Sequence, residues 1–259
     1  MYRMKCGEIL GGNSNQVADA CSANLMISLF SSACGGNNGG DIYFFSVCDS
    51  DILTRVAIAD VAGHGRQVSR ISKGIYRELK AHMNSLEGDQ VLSNVNHYAS
   101  EQGVAAITTA SIMGYYAAHK ALYYTYAGHH PLLVNRAGTT RWIPAEGDYL
   151  SGPNPINIPL AVLPDAEYLQ FRLPMDTGDR VLLYTDGVTE LRNECGEEFG
   201  TWKLLQALDK YNHLPLQDLK ECFASELNAY SNGKPYQDDV TFIFAEATKK
   251  LLCHSQAAV

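Results

Sequence analysis

The sequence has little of what membrane-spanning, secreted or nucleic-acid-binding proteins need. Its 259 residues include no apolar run of the ~18 residues a membrane helix needs, and the N-terminus lacks the apolar core of a signal peptide. Basic residues number 20 against 28 acidic ones, which gives a formal charge of −8. Because nucleic acids and anionic membranes attract basic surfaces, neither is expected as a partner, and no membrane span is predicted.

Cysteine frameworks and protein nucleophiles are also poorly represented. The seven cysteines are odd in number and include no Cys-x-x-Cys pair. A disulfide framework or a zinc knuckle is therefore not expected, and a reducing cytoplasm is the simplest location. The chain also has no Gly-x-Ser-x-Gly elbow and no Cys-x₅-Arg loop. A hydrolytic mechanism would therefore use activated water rather than a protein nucleophile.

What the sequence does contain is a set of aspartates at the ends of apolar, strand-like runs. Asp186 closes the run 181–185, Asp60 closes 55–59, Asp41 opens 42–47, and Asp239, with Asp238 before it, opens 240–244. A carboxylate at the edge of an apolar wall is costly unless it is compensated, and a bound cation is the usual compensation. We therefore predict that these aspartates meet at one rim of a β-sheet and hold divalent metal.

Two of the aspartates belong to a predicted hairpin. A turn at Ser50-Asp51 between the runs 42–47 and 53–59 would place Asp41 opposite Asp60, with Cβ atoms ~5 Å apart. Like charges this close repel unless a cation lies between them. Aspartate oxygens without cysteine partners suit Mg²⁺ or Mn²⁺ better than zinc. Two such ions could clamp a phosphate and activate water.

The order of the predicted elements indicates a sandwich. Strands come first, followed by helices beginning near residues 68 and 91, further strands, helices over 199–211 and 215–230, and a last strand at 240–245. Clustered strands predict an α+β fold in which two antiparallel sheets pack together with helices outside. The predicted domains are an N-terminal arm or edge segment over 1–24, one domain over 25–247 and a C-terminal tail over 248–259. The proline-rich segment 144–164 is predicted to be a long surface segment that could act as a flap.

Five motifs occur in a distinctive order: GGD at 39–41, ADVAGHG at 59–65, YAGHHPLL at 126–133, GDRVLLYTDGVTE at 178–190 and QDDVTF at 237–242. Together they resemble the PPM metal-dependent serine/threonine protein phosphatases (protein phosphatase 2C-like), specifically the bacterial SpoIIE/RsbU-type branch. The similarity covers roughly residues 25 to 247. YTDGVTE followed by DDVT is a highly specific pair, whereas AGHHP alone is a weak signal.

This resemblance implies a four-layer α-β-β-α sandwich with two Mn²⁺ or Mg²⁺ ions at one end of the central sheets. By motif position, Asp60 would bridge both ions, joined by the Val61 carbonyl. Asp41 would hold one ion, and Asp186 and Asp239 the other, so that the four aspartates form the catalytic set. The implied substrate is phosphoserine or phosphothreonine on a phosphorylated protein, typically an anti-sigma-factor antagonist of a bacterial partner-switching pathway.

The sequence departs from this family pattern beside the metal motif. Arg66 follows GHG where the branch usually has small residues, and it would either bind substrate phosphate or be a solvated residue of the first helical turn. Ala62 stands where eukaryotic relatives have a general-acid histidine. His64 would either transfer a proton or make a structural hydrogen bond. His129 and His130, which precede Pro131, are expected in a turn rather than on a metal.

Two other functions remain compatible with the sequence. The first is a catalytically silent module of the same fold that binds a phosphoprotein without cleaving it. The presence of all four aspartates argues against this alternative, because degenerate relatives usually lose some of them. The second is a zinc hydrolase using His64, His129 and His130, which would bind zinc without Asp41 and Asp239.

Overall fold

The computed structural model of the chain describes residues 1–48, 52–63, 65–82, 85, 87–146, 148–149 and 158–249. Within these residues the apolar runs form fourteen strands, and the segments with helical periodicity form five helices. The strands are β1 (Tyr2–Arg3), β2 (Ile9–Ser14), β3 (Gln16–Cys21), β4 (Leu25–Ser32), β5 (Asn38–Cys48), β6 (Leu53–Val61), β7 (Thr108–Tyr116), β8 (Ala121–Ala127), β9 (Leu133–Asn135), β10 (Trp142–Pro144), β11 (Asp148–Tyr149), β12 (Phe171–Pro174), β13 (Arg180–Tyr184) and β14 (Val240–Ala247). The helices are α1 (Arg66–His82), α2 (Gly88–Glu101), α3 (Asp186–Thr189), α4 (Gly200–Tyr211) and α5 (Leu216–Tyr230).

The strands divide into two seven-stranded sheets. The first has the order β1-β3-β4-β14-β13-β9-β10, and the second has the order β11-β12-β8-β7-β6-β5-β2. The pairing of β1 with β3 is parallel, and the other pairings between these strands are antiparallel. The predicted fold class, an α+β sandwich of two antiparallel sheets, is therefore confirmed.

Three apolar cores hold the four layers together, and the two-residue period of the strands assigns side chains to them. In β6, Val56 and Ile58 face the other sheet and join the core between the sheets. Their neighbours Ala57 and Ala59 face the opposite way and pack beneath α1 and α2. On the first sheet, Phe223 of α5 packs against β14 in a third core. This layering places the ends of β5, β6, β13 and β14 at a common rim.

The first 24 residues, predicted as an arm or an edge segment, form three strands. β1 is an edge strand of the first sheet and β2 is an edge strand of the second. β3 lies inside the first sheet, where it pairs with β4 from Gln16 to Cys21. These residues therefore take part in both sheets, and the limits of the domain stay a prediction.

The segment 144–164 lies partly outside the described residues, so that its role as a flap stays a prediction. Its described end is anchored, because Leu160 is buried and exchanges backbone hydrogen bonds with Thr108 at 2.8 and 3.3 Å. No helix in the described part of the chain is long and apolar enough to cross a membrane.

Candidate metal centre

The β5–β6 hairpin forms in the predicted register. Ile42 pairs with Ala59, so that Asp41 and Asp60 stand one position further toward the rim of the sheet. Their carboxylates lie close enough for the charge of Asp60 to raise the pKa of Asp41. The predicted turn at Ser50-Asp51 lies outside the described residues. The antiparallel pairing thus brings together two carboxylates that the sequence separates by nineteen positions.

Thr185 fixes the position of Asp41. It is fully buried at the end of β13, and its Oγ1 donates a hydrogen bond of 2.8 Å to Asp41 Oδ2. The backbone of Thr185 donates to the Thr241 carbonyl of β14, and the Thr241 N–H returns a bond of 3.1 Å to Thr185 Oγ1. Asp186 follows directly as the first residue of α3 and is half-buried. One threonine therefore joins β13, β14 and β5 at the rim.

Asp239 is buried and its carboxylate is used to organise the backbone. Oδ1 accepts a 2.7 Å hydrogen bond from the Cys34 N–H, and Oδ2 accepts bonds from the N–H groups of Gly40 and Asp41. These donors belong to the loop before β5 and to β5 itself. Asp239, which directly precedes β14, therefore holds in place the strand that carries Asp41. Its neighbour Asp238 is exposed and accepts a 2.8 Å bond from the Asp239 N–H.

Close backbone approach explains the glycines of the GGD and Asp-Gly motifs. A Cβ added at Gly39 would overlap the Asp239 carboxylate, and a Cβ at Gly187 would overlap the Asp239 carbonyl oxygen. At Gly40 the added atom would lie 2.8 Å from the Val61 carbonyl oxygen. Only glycine leaves room for these contacts, so the motifs record how tightly the rim is packed.

The electrostatics of the cluster favour a bound cation. Burial and then the charge of Asp60 raise the pKa of Asp41 well above its usual range. Burial, followed by the charges of Asp186 and Asp238, raises the pKa of Asp60 to about 8. Asp41 Oδ1 is buried and has no hydrogen-bond partner in the structure. Several carboxylates that repel one another around an unpartnered oxygen fit a hard divalent cation.

The tightest group of potential ligands is not the predicted set. Within the described ranges, one group of three has ligand atoms that all lie within 4.8 Å of one another: Cys34, Asp238 and Asp239. Burial and the charge of Asp239 raise the pKa of the Cys34 thiol, which favours the neutral thiol over a thiolate ligand. Cys34 and Asp238 were absent from the predicted ligands, and only the adjacency of Asp238 to Asp239 could have suggested the second.

Arg66 is the exposed first residue of α1. It lines a cleft of about 460 Å³ whose wall also includes Cys34 and Asp239. Arg66 and Asp239 thus share one cleft, although the described residues show no bond between their side chains.

Of the three histidines in the GHG and GHHP motifs, His129 and His130 lie within the described residues. His129 is buried, and its Nδ1 lies 2.8 Å from Thr109 Oγ1. Burial lowers the pKa of His129 to about 3, so that the ring is neutral. His130 stacks on Tyr184 with ring centroids 5.1 Å apart. Neither histidine belongs to a group of three potential ligands among the residues searched, and His64 lies outside the described residues.

Comparison with known proteins points to one family. The family described as Stage II sporulation protein E (SpoIIE) matches residues 50–248, which is most of the chain. The phosphoserine phosphatase RsbU of Bacillus subtilis (strain 168) is 29% identical over 161 residues, which are 61% of this chain and 44% of RsbU. The chain thus spans less than half the length of this relative.

Solved structures show the same fold. The RsbU and RsbW domains of Rv1364c from Mycobacterium tuberculosis superpose with a TM-score of 0.74 and 19% identity, over 93% of this chain and 63% of that one. RsbX in complex with magnesium superposes with a TM-score of 0.66 and 16% identity, over 90% of this chain and 100% of that one. Together with the motifs and the architecture, the match over residues 50–248 establishes that this chain belongs to the SpoIIE family, the SpoIIE/RsbU branch of the PPM-type phosphatases.

Proposed function

We propose that the chain is a metal-dependent protein phosphatase that hydrolyses phosphoserine or phosphothreonine. The observation that carries this proposal is the cluster of mutually repelling aspartates at one rim, with Asp41 Oδ1 buried and unpartnered. Such a cluster is unfavourable in the free protein and becomes favourable when cations occupy it. RsbU, which shares part of this sequence, is named a phosphoserine phosphatase.

Two Mn²⁺ or Mg²⁺ ions are the proposed cofactor. Asp41, Asp60, the Val61 carbonyl, Asp186 and Asp239 are the proposed ligands. When bound, such ions neutralise the substrate phosphate and make an attacking water more acidic. The fold of RsbX, whose structure contains magnesium, supports the choice of a hard cation.

We propose different roles for Asp238 and Asp239. Both oxygens of Asp239 already accept backbone hydrogen bonds, so that its main role is to hold the loop before β5 in place. Asp238 is exposed, and its charge acts on Asp60. We therefore add Asp238 to the proposed ligands, and we propose that Asp239, besides being a ligand, positions the rim. Thr185 has the corresponding role for Asp41, because its hydrogen bond fixes one carboxylate oxygen and leaves the other open.

The proposed substrate is a phosphorylated protein, and the proposed setting is a bacterial partner-switching pathway. The catalytically silent binding module is the alternative, and the retention of all four predicted aspartates disfavours it. A zinc site at His129 and His130 is disfavoured, because His129 Nδ1 is engaged by Thr109 and His130 stacks on Tyr184. Neither ring belongs to a group of three potential ligands among the residues searched.

The direct test is hydrolysis of an aryl phosphate by the purified chain. We expect turnover that requires Mn²⁺ or Mg²⁺ and is abolished by EDTA. Asp186→Asn should reduce it by about 100-fold or more, since one ligand charge is lost. Asp218→Asn, an equal change at an exposed position of α5, is the matched control and should have wild-type turnover. Metal binding without turnover on any phosphopeptide would instead support the silent module.

A further inference from the structure

Helix α1 carries a line of basic residues on its solvent face. Arg66, Arg70, Lys73 and Arg77 recur at intervals of four, three and four positions, and all four are exposed. Because an α-helix has 3.6 residues per turn, this spacing places them on one side of the helix. We call these four residues the basic stripe. The buried side of the same helix, which includes Val68 and Ile75, packs on the second sheet.

The basic stripe has no internal compensation. In the structure as described, none of its four residues forms an ion pair, and the first turn of α1 contains no acidic residue. Like charges at these spacings repel one another, and Arg66 also opposes the positive end of the helix dipole. Folding stability alone would not favour four basic residues on one helix face without acidic partners. Its presence in a chain of formal charge −8 indicates an anionic partner for this face.

The basic stripe begins next to the candidate metal centre. Arg66, Arg70 and Lys73 line the cleft of about 460 Å³ that also includes Asp239 in its wall. A second cleft continues along Arg70, Lys73 and Arg77. At 1.5 Å rise per residue, the line from Arg66 to Arg77 is about 16 Å long. An extended peptide covers this distance with about five residues.

We propose that the basic stripe docks an acidic segment of the phosphoprotein substrate, located within about five to eight residues of the phosphorylated side chain. The inference rests on the proposed phosphatase function and adds the class of substrate sequence that the site selects. The cleft joins the basic stripe to the aspartate rim, so that one extended chain can reach both. A flat anionic membrane fits less well, because the positive surface is a single helix face on a chain of net negative charge.

The test compares phosphoserine peptides that differ only in the flanking residues. One set carries glutamates on the N-terminal or C-terminal side of the phosphoserine, and the others carry glutamines or lysines. At low salt the wild-type chain should show a kcat/KM about tenfold higher for a glutamate-flanked peptide than for the glutamine-flanked one, since each exposed ion pair contributes about two- to fivefold. This preference should shrink as salt rises.

The variant Arg70→Glu/Lys73→Glu reverses two charges of the basic stripe and keeps helix propensity similar. Its ratio of kcat/KM between glutamate- and glutamine-flanked peptides should fall to about one or below, and the lysine-flanked peptide should become the preferred substrate. The matched control Arg141→Glu/Lys249→Glu makes the same change of charge at exposed positions outside the basic stripe. It should retain the wild-type ratio. Circular dichroism and thermal melting confirm that both variants are folded.

Two parallel measurements separate this proposal from the proposed function. Turnover of an aryl phosphate by the wild type tests the phosphatase assignment alone. Peptide affinity in EDTA, measured by fluorescence anisotropy, tests the basic stripe even if turnover is absent. A wild-type chain without preference for acidic flanks, or a preference that survives in Arg70→Glu/Lys73→Glu, would overturn the proposal. If the preference for acidic flanks survives in Arg70→Glu/Lys73→Glu, and the wild type binds anionic vesicles that this variant does not bind, the basic stripe would be assigned to a membrane.

Discussion

Replacing Asp60 by asparagine should stabilise the metal-free protein while abolishing the proposed metal-dependent activity. Burial and neighbouring carboxylates raise the pKa of Asp60 from 3.8 to about 8. Its folded-state pKa therefore lies above the unfolded value, so that ionisation at neutral pH works against folding. Each pKa unit between the two states corresponds to about 1.4 kcal/mol. At pH 7 roughly three of these units lie below the pH, so the raised pKa lowers the free energy of unfolding by about 4 kcal/mol.

The same shift sets the pH dependence. Without metal, the stability of the wild type should fall as pH rises from about 4 through about 8, because the folded protein retains the Asp60 proton that the unfolded chain has released. Asp60→Asn removes this group and should flatten the slope. A neutral amide retains part of the desolvation cost, so we expect a gain of roughly 2–4 kcal/mol and a Tm higher by roughly 5–10 °C at pH 7.

The assay is thermal unfolding in EDTA and in millimolar Mn²⁺, between pH 5 and pH 8.5. Bound metal should raise the Tm of the wild type more than that of Asp60→Asn, since binding to the folded state adds its own stabilisation. Asp218→Asn, on the exposed side of α5, should follow the wild type in both buffers. If Asp60→Asn in EDTA melts at or below the wild type with an unchanged pH slope, the picture of repelling carboxylates at the rim is refuted.

Three further substitutions test contacts around the rim and the core. Gly39→Ala should reduce metal-dependent turnover on the order of 100-fold, because its Cβ would overlap the Asp239 carboxylate. Gly35→Ala, where a Cβ meets nothing within 4 Å, is the control and should be fully active in the same assay. Thr185→Val removes the hydrogen bond to the Asp41 carboxylate. It should weaken metal binding, measured by calorimetry, by about 1.5–3 kcal/mol; an unchanged affinity would contradict the positioning role of Thr185. Arg55→Met should raise the free energy of unfolding in urea by about 1–3 kcal/mol, because Nε and Nη2 of Arg55 are buried without a hydrogen-bond partner among the described residues. A loss of stability there would show that the guanidinium has a partner.

Much of the fold could be predicted because local signals agreed with the final packing. The hairpin register followed from two apolar runs around a polar turn, and the helices followed from apolar spacing. The run of strands after α2 starts only at Thr108, because Val104–Ala106 forms a 3₁₀ turn first. Strand β3 was not predicted as such, because its sequence QVADAC has a single β-branched residue, Val17, and no large apolar side chain. It forms by pairing with β4 along its whole length, which is a tertiary effect that no local pattern reveals.

The candidate site was predictable in its residue types but not in its division of labour. Strand ends located the aspartates, since a carboxylate beside an apolar run is a conspicuous anomaly. Adjacent residues on an extended chain point in opposite directions, and the sequence does not say which direction faces the rim. The structure shows Asp239 turned toward backbone N–H groups and Asp238 exposed. The hydrogen bond from Thr185 to Asp41 joins residues 144 positions apart, and no local sequence pattern predicts it.

The insertion of β14 between β4 and β13 has a consequence for biosynthesis. A ribosome must synthesise the chain through β14, Val240–Ala247, before the middle of the first sheet can close. Until then, the loop before β5 lacks the carboxylate that holds it, and β4 lacks its neighbour. A nascent or truncated chain that ends before residue 238 should therefore lack the proposed phosphatase activity. This activity would appear only after β14 has paired with β4 and β13.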